Sequence, residues 1–218
     1  MPTIPWSEIH TVFLDMDGTL LDLHFDNHFW LEHLPQRMAA HKQLSLAEAE
    51  RLVNAHCADI EGSLKWYCLD YWEDYLGMDV VALKHEIADR IAIRPDVEPF
   101  LRYLKSINKR VVLLTNAHRK SVNLKFEYIN LEPYFDRIIT SHEIGLAKEE
   151  KGFWERLVDV ENFSVDYSLF IDDNLNVLRN AKLYGLKHLL AIHEPDSKLP
   201  PKDTEEFQAI KSYQTLMI

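Results

Sequence analysis

The chain has 218 residues, 47% hydrophobic and 27% charged, proportions of a soluble globular protein with one good core or a core and a smaller companion. Its 35 acidic against 24 basic residues give a formal net charge of −11, which argues against a nucleic-acid polymer or an anionic membrane as the main partner. A small anionic substrate stays compatible, because local donors and a metal invert the potential inside a site.

The opening stretch "MPTIPWSEIH" lacks a basic start followed by an apolar run, so no signal peptide is expected. No segment approaches the length needed to span a bilayer, and a cytoplasmic protein is the expectation. Residues 11–15, "TVFLD", read as a buried strand ending on Asp15, with Asp17, Gly18 and Thr19 close behind. From residue 24 to about 90 the pattern is helical, with no convincing strand. "SLAEAERLV" opens with Ser45 and Glu48 at capping-box spacing. "SLKWYCLDYWEDYLG" reads as one helix stopping at Gly77, with Leu64, Tyr67, Cys68, Tyr71, Trp72 and Tyr75 on a broad face. Trp66 and Asp70, four apart, fall off that face as neighbours. "DVVALKHEIADRIA" begins at Asp79, so three or four helices are expected in the interval.

"RPDVEP" marks the return, its prolines enforcing a boundary. Beyond it, apolar runs alternate with helical ones. The strands are "KRVVLLTN", "DRIITS", "YSLFIDD" and "KHLLAI"; the helices are "EPFLRYLKSI", "KSVNLKFEYIN", "KGFWERLVDV" and "NVLRNAKLYG", the last stopping at Gly185. The runs lack strict alternation, as expected of parallel strands covered on both faces. The tail after Pro195 reads as loose and then helical. The fold expected is a doubly wound α/β parallel-sheet core, residues 1–23 and 91–218, with an inserted α-helical cap domain at 24–90.

Cys57 and Cys68 show neither CxxC spacing nor a cluster of other soft ligands, and read as reduced thiols. The 11 histidines are scattered, with no pair in zinc-ligand context; His118 alone lies near a strand end of interest.

In a parallel α/β sheet, ligands bind outside the carboxyl ends of the strands, near the point where strand order reverses. Asp15 and Asp17 follow the first strand, Thr115 and Asn116 end the second, and Asp172 and Asp173 end a later one. Such a like-charged cluster is costly unless a cation sits in it. Hard oxygen ligands without adjacent His or Cys point to Mg²⁺. Each motif has a plainer reading: paired acids solvated in a loop, Thr115 and Asn116 or Asp173 as helix caps, Lys148 as a surface lysine.

Taken in order, "DMDGTL", "LLTN", Lys148 and "FIDD" resemble the four motifs of the haloacid dehalogenase (HAD) superfamily of phosphohydrolases, over essentially the whole chain. "LLDLHFDNHFW", "LKWYCLDYWEDYLGMD" and "LLTNAH" are similar to segments of one subgroup, the bacterial GMP/IMP 5′-nucleotidases. The resemblance implies Asp15 as the nucleophile that becomes an aspartyl phosphate, and Asp17 as acid then base, its carbonyl also ligating Mg²⁺. It implies Thr115 as a phosphoryl hydrogen-bond donor, Lys148 as the neutralising charge, and Asp172 and Asp173 as completing the metal site. Ala147 and Glu149 flank Lys148 where many relatives carry proline, which leaves its loop less fixed in expectation.

The substrate so implied is a purine 5′-mononucleotide such as GMP or IMP. Asn116 is a candidate contact, and a purine could stack on Trp66 while Asp70 accepts from its N1–H. A sugar phosphate or phosphoglycolate is the alternative substrate. A phosphomutase, a metal-independent haloacid dehalogenase and a non-catalytic binding module are the alternative classes.

Overall fold

A computed structural model describes residues 4–217; residues 1–3 and 218, assigned above to the core, lie outside it. Six parallel strands form one sheet: β1 (Thr11–Leu14), β2 (Arg110–Thr115), β3 (Arg137–Thr140), β4 (Ser168–Asp172), β5 (His188–Ile192) and β6 (Ala209–Ile210). Their order is β3-β2-β1-β4-β5-β6. The chain thus builds outward from β1 to β3, then returns to the other side of β1 for β4. Order reverses around β1, and the crevice of a doubly wound sheet opens there.

Alternate strand residues feed two cores. Val12, Leu14, Val111, Leu113, Leu169 and Ile171 pack beneath α7 (Val97–Ser106) and α8 (Arg119–Tyr128). Phe13, Val112, Leu114 and Phe170 face the other way, onto α10 (Phe153–Val160) and α11 (Leu175–Tyr184). Both faces are covered, which is why the runs show no polar side. Short α9 (Ser141–Ile144) follows β3, capped by the box of Thr140 and Glu143.

Residues 24–90 are helical, as expected, but more finely divided than three or four helices. They comprise α1 (His24–His28), a π turn (Phe29–His33), α2 (Leu34–Lys42), α3 (Leu46–Ile60), α4 (Leu64–Tyr67), α5 (Leu69–Leu76) and α6 (Val80–His85). Their apolar faces gather round Phe25, Phe29, Met38, Val53, Trp72 and Val80, joined by Leu124 of α8. Ser45 and Glu48 form the capping box of α3, and the Asp79 carboxylate accepts from Ala82 N to cap α6. The segments leading in and out run side by side: Asp22 N donates to Ala92 O at 2.9 Å, and Arg94 N to Leu20 O at 3.0 Å.

Two expectations need correction. "SLKWYCLDYWEDYLG" is two helices, because Cys68 is extended (φ −86°, ψ 107°) and serves as the N-cap of α5. The break frees the Trp66 carbonyl, which accepts from the Trp72 indole at 2.9 Å. The tail after Pro195 is not simply loose and helical: Ala209–Ile210 adds β6 to the sheet edge before a 3₁₀ turn at Tyr213–Leu216. Among the described residues no helix is long and apolar enough to cross a membrane.

Candidate active site

The carboxyl ends of β1, β2 and β4 deliver Asp15, Thr115 and Asp172 to one place because these three strands are adjacent and in register. Lys148, from the loop after α9, lies among them. Its Nζ donates to Asp15 Oδ1 at 2.6 Å, Asp172 Oδ2 at 2.6 Å and Leu114 O at 3.1 Å, using all three ammonium protons. Burial opposes its charge, but Asp15 and Asp172 outweigh that and hold it above the usual lysine range.

Asp15, Asp172 and Asp173 bring carboxylate oxygens within 4.8 Å of one another. Burial pushes Asp15 up to about 6 despite Lys148, and burial with the charges of Asp172 and Asp15 drives Asp173 well above the ordinary range. Lys202 adds a second ammonium at the edge, donating to Asp173 O at 3.1 Å, and two ammoniums against three carboxylates still leave a negative excess. The donor set is all oxygen, and it fits a hard divalent cation such as Mg²⁺.

Gly18 explains the tightness of the turn. Its φ is +81°, and a Cβ there would stand 2.7 Å from the Asp173 carboxyl, so only glycine lets the loop after β1 approach the loop after β4. Asp173 does not cap α11; Asn174 does, accepting from Asn176 N, while Asp172 Oδ1 accepts from Asn174 N at 2.8 Å.

Asp17 turns the other way. Its Oδ1 accepts from Lys125 Nζ at 2.6 Å; the same ammonium donates to Asp26 Oδ2 at 2.6 Å, and Lys84 donates to Asp26 Oδ1 at 2.8 Å. This chain of four charges joins the catalytic turn to α8, α1 and α6. Burial raises Asp17 to about 6 against the pull of Lys125. Burial also disfavours the charge on Asp26, but two lysines hold its carboxyl well below the ordinary range.

Thr115 and Asn116 do not cap α8; His118 does, its Nδ1 accepting from Lys120 N at 3.4 Å. The buried Thr115 Oγ accepts from Ala117 N at 3.0 Å and keeps its proton for another acceptor. Asn116 is committed at both ends, accepting from Lys148 N at 2.8 Å and donating to Glu149 at 2.8 Å. Asn180 also donates to the carbonyls of Lys148 and Glu150. The Lys148 loop, expected to be less fixed without its prolines, is held by these side chains instead. Glu149 accepts further from Tyr67 of α4 at 2.7 Å.

Asp15, Asp17, Thr115, Lys148, Asp172 and Asp173 line a cavity of about 620 Å³, walled on the helical side by Trp30, Trp66, Tyr67 and Trp72. Trp66 is one of the residues lining this cavity. Asp70 does not line the cavity: Lys120 Nζ holds its carboxylate at 2.6 Å, and the break at Cys68 removes the helical register on which its pairing with Trp66 rested. Asp26, Lys84, Lys125, Tyr67 and Glu149 were not singled out from sequence as site residues. They are isolated polar residues on helices or beside a motif, and only the packing shows what they meet.

A profile of haloacid dehalogenase-like hydrolases matches residues 9–185. The chain is 36% identical over 214 residues to the GMP/IMP nucleotidase YrfG of Escherichia coli, covering 98% of this chain and 96% of that one. Among solved structures it is similar to a HAD phosphatase from Thermococcus onnurineus, with TM-score 0.75, 20% identity, and 94% and 95% of the two chains covered. It is also similar to the HAD hydrolase YfnB of Bacillus subtilis bound to magnesium, with TM-score 0.62, 16% identity, and 95% and 96% covered.

Proposed function

The chain belongs to the haloacid dehalogenase-like hydrolase family, and from that premise we propose a Mg²⁺-dependent phosphomonoesterase that dephosphorylates a purine nucleoside 5′-monophosphate, GMP or IMP. The observation that carries the chemistry is Lys148 bridging Asp15 and Asp172 at 2.6 Å each, beside Thr115 and Asp173. Asp15 attacks phosphorus and the ester oxygen leaves, giving an aspartyl phosphate. Asp17 gives a proton to that leaving oxygen, then takes one from the water that hydrolyses the acyl phosphate. Thr115 donates its hydroxyl proton to a phosphoryl oxygen, and Lys148 offsets charge on the nucleophile and the transferred group. Asp15, the Asp17 carbonyl, Asp172 and Asp173 would hold Mg²⁺, which would supply further charge neutralisation there. Asn116 acts as a positioning residue for the Lys148 loop rather than as a substrate contact.

For the substrate, the support is the likeness to the GMP/IMP nucleotidase over nearly the full length. The 620 Å³ cavity suits a nucleotide-sized ligand, within the roughly 300–1,000 Å³ of small-molecule sites. Trp66, half-buried in the cavity wall, is the candidate face for a purine. In this reading residues 24–90 are a cap domain over the core of residues 1–23 and 91–218. The test is phosphate release from GMP, IMP, AMP, hexose phosphates and phosphoglycolate. The highest kcat/KM is expected with GMP or IMP; a preference for phosphoglycolate or a sugar phosphate overturns the nucleotide assignment.

A further inference from the structure

Outside the carboxylate site, the fold assembles a second set of ligand atoms from three distant parts of the chain. The Cys68 thiol and the imidazoles of His118 and His142 place one ligand atom each within 4.8 Å of one another. Cys68 is the extended residue between α4 and α5, His118 follows β2, and His142 lies in α9 after β3. The His118 and His142 rings meet edge to face, with centroids 4.7 Å apart. The sequence shows no soft-ligand cluster here because these residues are separated by 50 and 24 positions (118 − 68 and 142 − 118).

His142 gives the second observation. Both its ring nitrogens are buried with no hydrogen-bond partner, which is costly for a polar ring unless something binds it. His118 spends Nδ1 on the cap of α8 and keeps Nε2 free of hydrogen bonds, 3.7 Å from Asp70 Oδ2. The nearest charges favour a cation: Asp70 and Glu73 flank the single ammonium of Lys120 at 2.6 and 2.8 Å.

We propose that Cys68, His118 and His142 form a second metal site, for a borderline-soft divalent cation such as Zn²⁺, tying the α4–α5 junction to the loops after β2 and β3. One thiolate and two imidazoles are a common zinc donor set, with a fourth position left for water or the Asp70 carboxylate. Zn²⁺ bonds to the Cys68 sulfur as the thiol proton leaves to bulk water, and to one neutral nitrogen of each ring. His118 also lines the cavity, so the ion would sit at its rim, apart from the carboxylates. The site needs no assumption about the substrate.

The test uses full-length, metal-stripped protein with Mg²⁺ in excess to occupy the carboxylates, and Co²⁺ as the optical probe. One equivalent of Co²⁺ should give a thiolate-to-cobalt charge-transfer band in the near ultraviolet, bleached by one equivalent of Zn²⁺. Oxygen ligation at the carboxylates gives no such band. Cys68→Ser and His142→Ala should lose it, while Cys57→Ser keeps it. Serine is a good N-cap, so Cys68→Ser preserves the start of α5 and reports on the thiolate alone. Zn²⁺ should also raise the thermal transition of the parent protein but not of Cys68→Ser. No charge-transfer band from the folded parent protein, or an undiminished one from His142→Ala, overturns the proposal.

Discussion

At the scale of single residues, the burial of Asp15 separates its chemical role from any structural one. Its side chain accepts from Lys148 at 2.6 Å and stands within a crowd of carboxylates whose charges burial already disfavours. Asparagine is nearly isosteric, keeps an acceptor for Lys148 and relieves part of that repulsion, but an amide is a poor nucleophile. Asp15→Asn should abolish phosphate release while the thermal transition stays equal or rises. Near-full turnover in this variant would remove Asp15 from the mechanism. Asp17→Asn tests the acid role differently: turnover should fall much more with GMP than with p-nitrophenyl phosphate, whose leaving group needs little protonation. Equal losses on the two substrates argue against that role.

At the scale of elements, a buried run of charges, Lys84–Asp26–Lys125–Asp17, ties the helices of 24–90 to the rest. Lys84 and Lys125 are each 1% exposed, and Lys84 lies over the rings of Phe25 and Phe29. Asp26→Ala leaves Lys84 without its carboxylate in an apolar setting, and removing one partner of a buried pair costs about 3–5 kcal/mol. Ser45→Ala removes only an exposed cap and should cost about 1 kcal/mol. Urea unfolding of both variants checks the ranking, and adding Lys84→Met to Asp26→Ala should recover part of the loss. An Asp26→Ala cost no larger than that of Ser45→Ala discards the tie.

The same scale shows what could be read from the chain. Strands β1 to β5 were legible because continuous apolar runs ending in polar residues mark strands covered on both faces. Local signals were legible too: the Ser45 box, the Asp79 cap, and the stops at Gly77 and Gly185. Two-residue β6 has no run to recognise, and the break at Cys68 falls inside an unbroken helical pattern. Asp15, Asp17, Thr115 and Asp172 were visible because each ends an apolar run or stands within three residues of its end. Asp26, Lys84 and Lys125 were not, since a lone charge on a helix reads as solvated until another element covers it.

For the whole molecule, the order β3-β2-β1-β4-β5-β6 makes the metal question decisive. Reversal around β1 sets three strand ends side by side, and two of them carry acids. A dehalogenase built on this sheet could use Asp15 as nucleophile without metal, and would have no need for further carboxylates at the end of β4. Asp172 and Asp173 are retained there at a cost, both raised by burial above the ordinary carboxylate range. Lys148 supplies one positive charge to Asp15 and Asp172, and Lys202 a second beside Asp173, so three carboxylates are short of cationic charge before any phosphate enters. A dianionic phosphate monoester would deepen that deficit, and a hard divalent ion bound by the same oxygens removes it. Phosphatase activity should therefore vanish in EDTA and return with Mg²⁺ or Mn²⁺. Recovery should be the same in Cys68→Ser, since the thiol lies outside the oxygen cluster. Full phosphate release in metal-free buffer would sink this reading and leave the acids at the end of β4 without a role in charge balance.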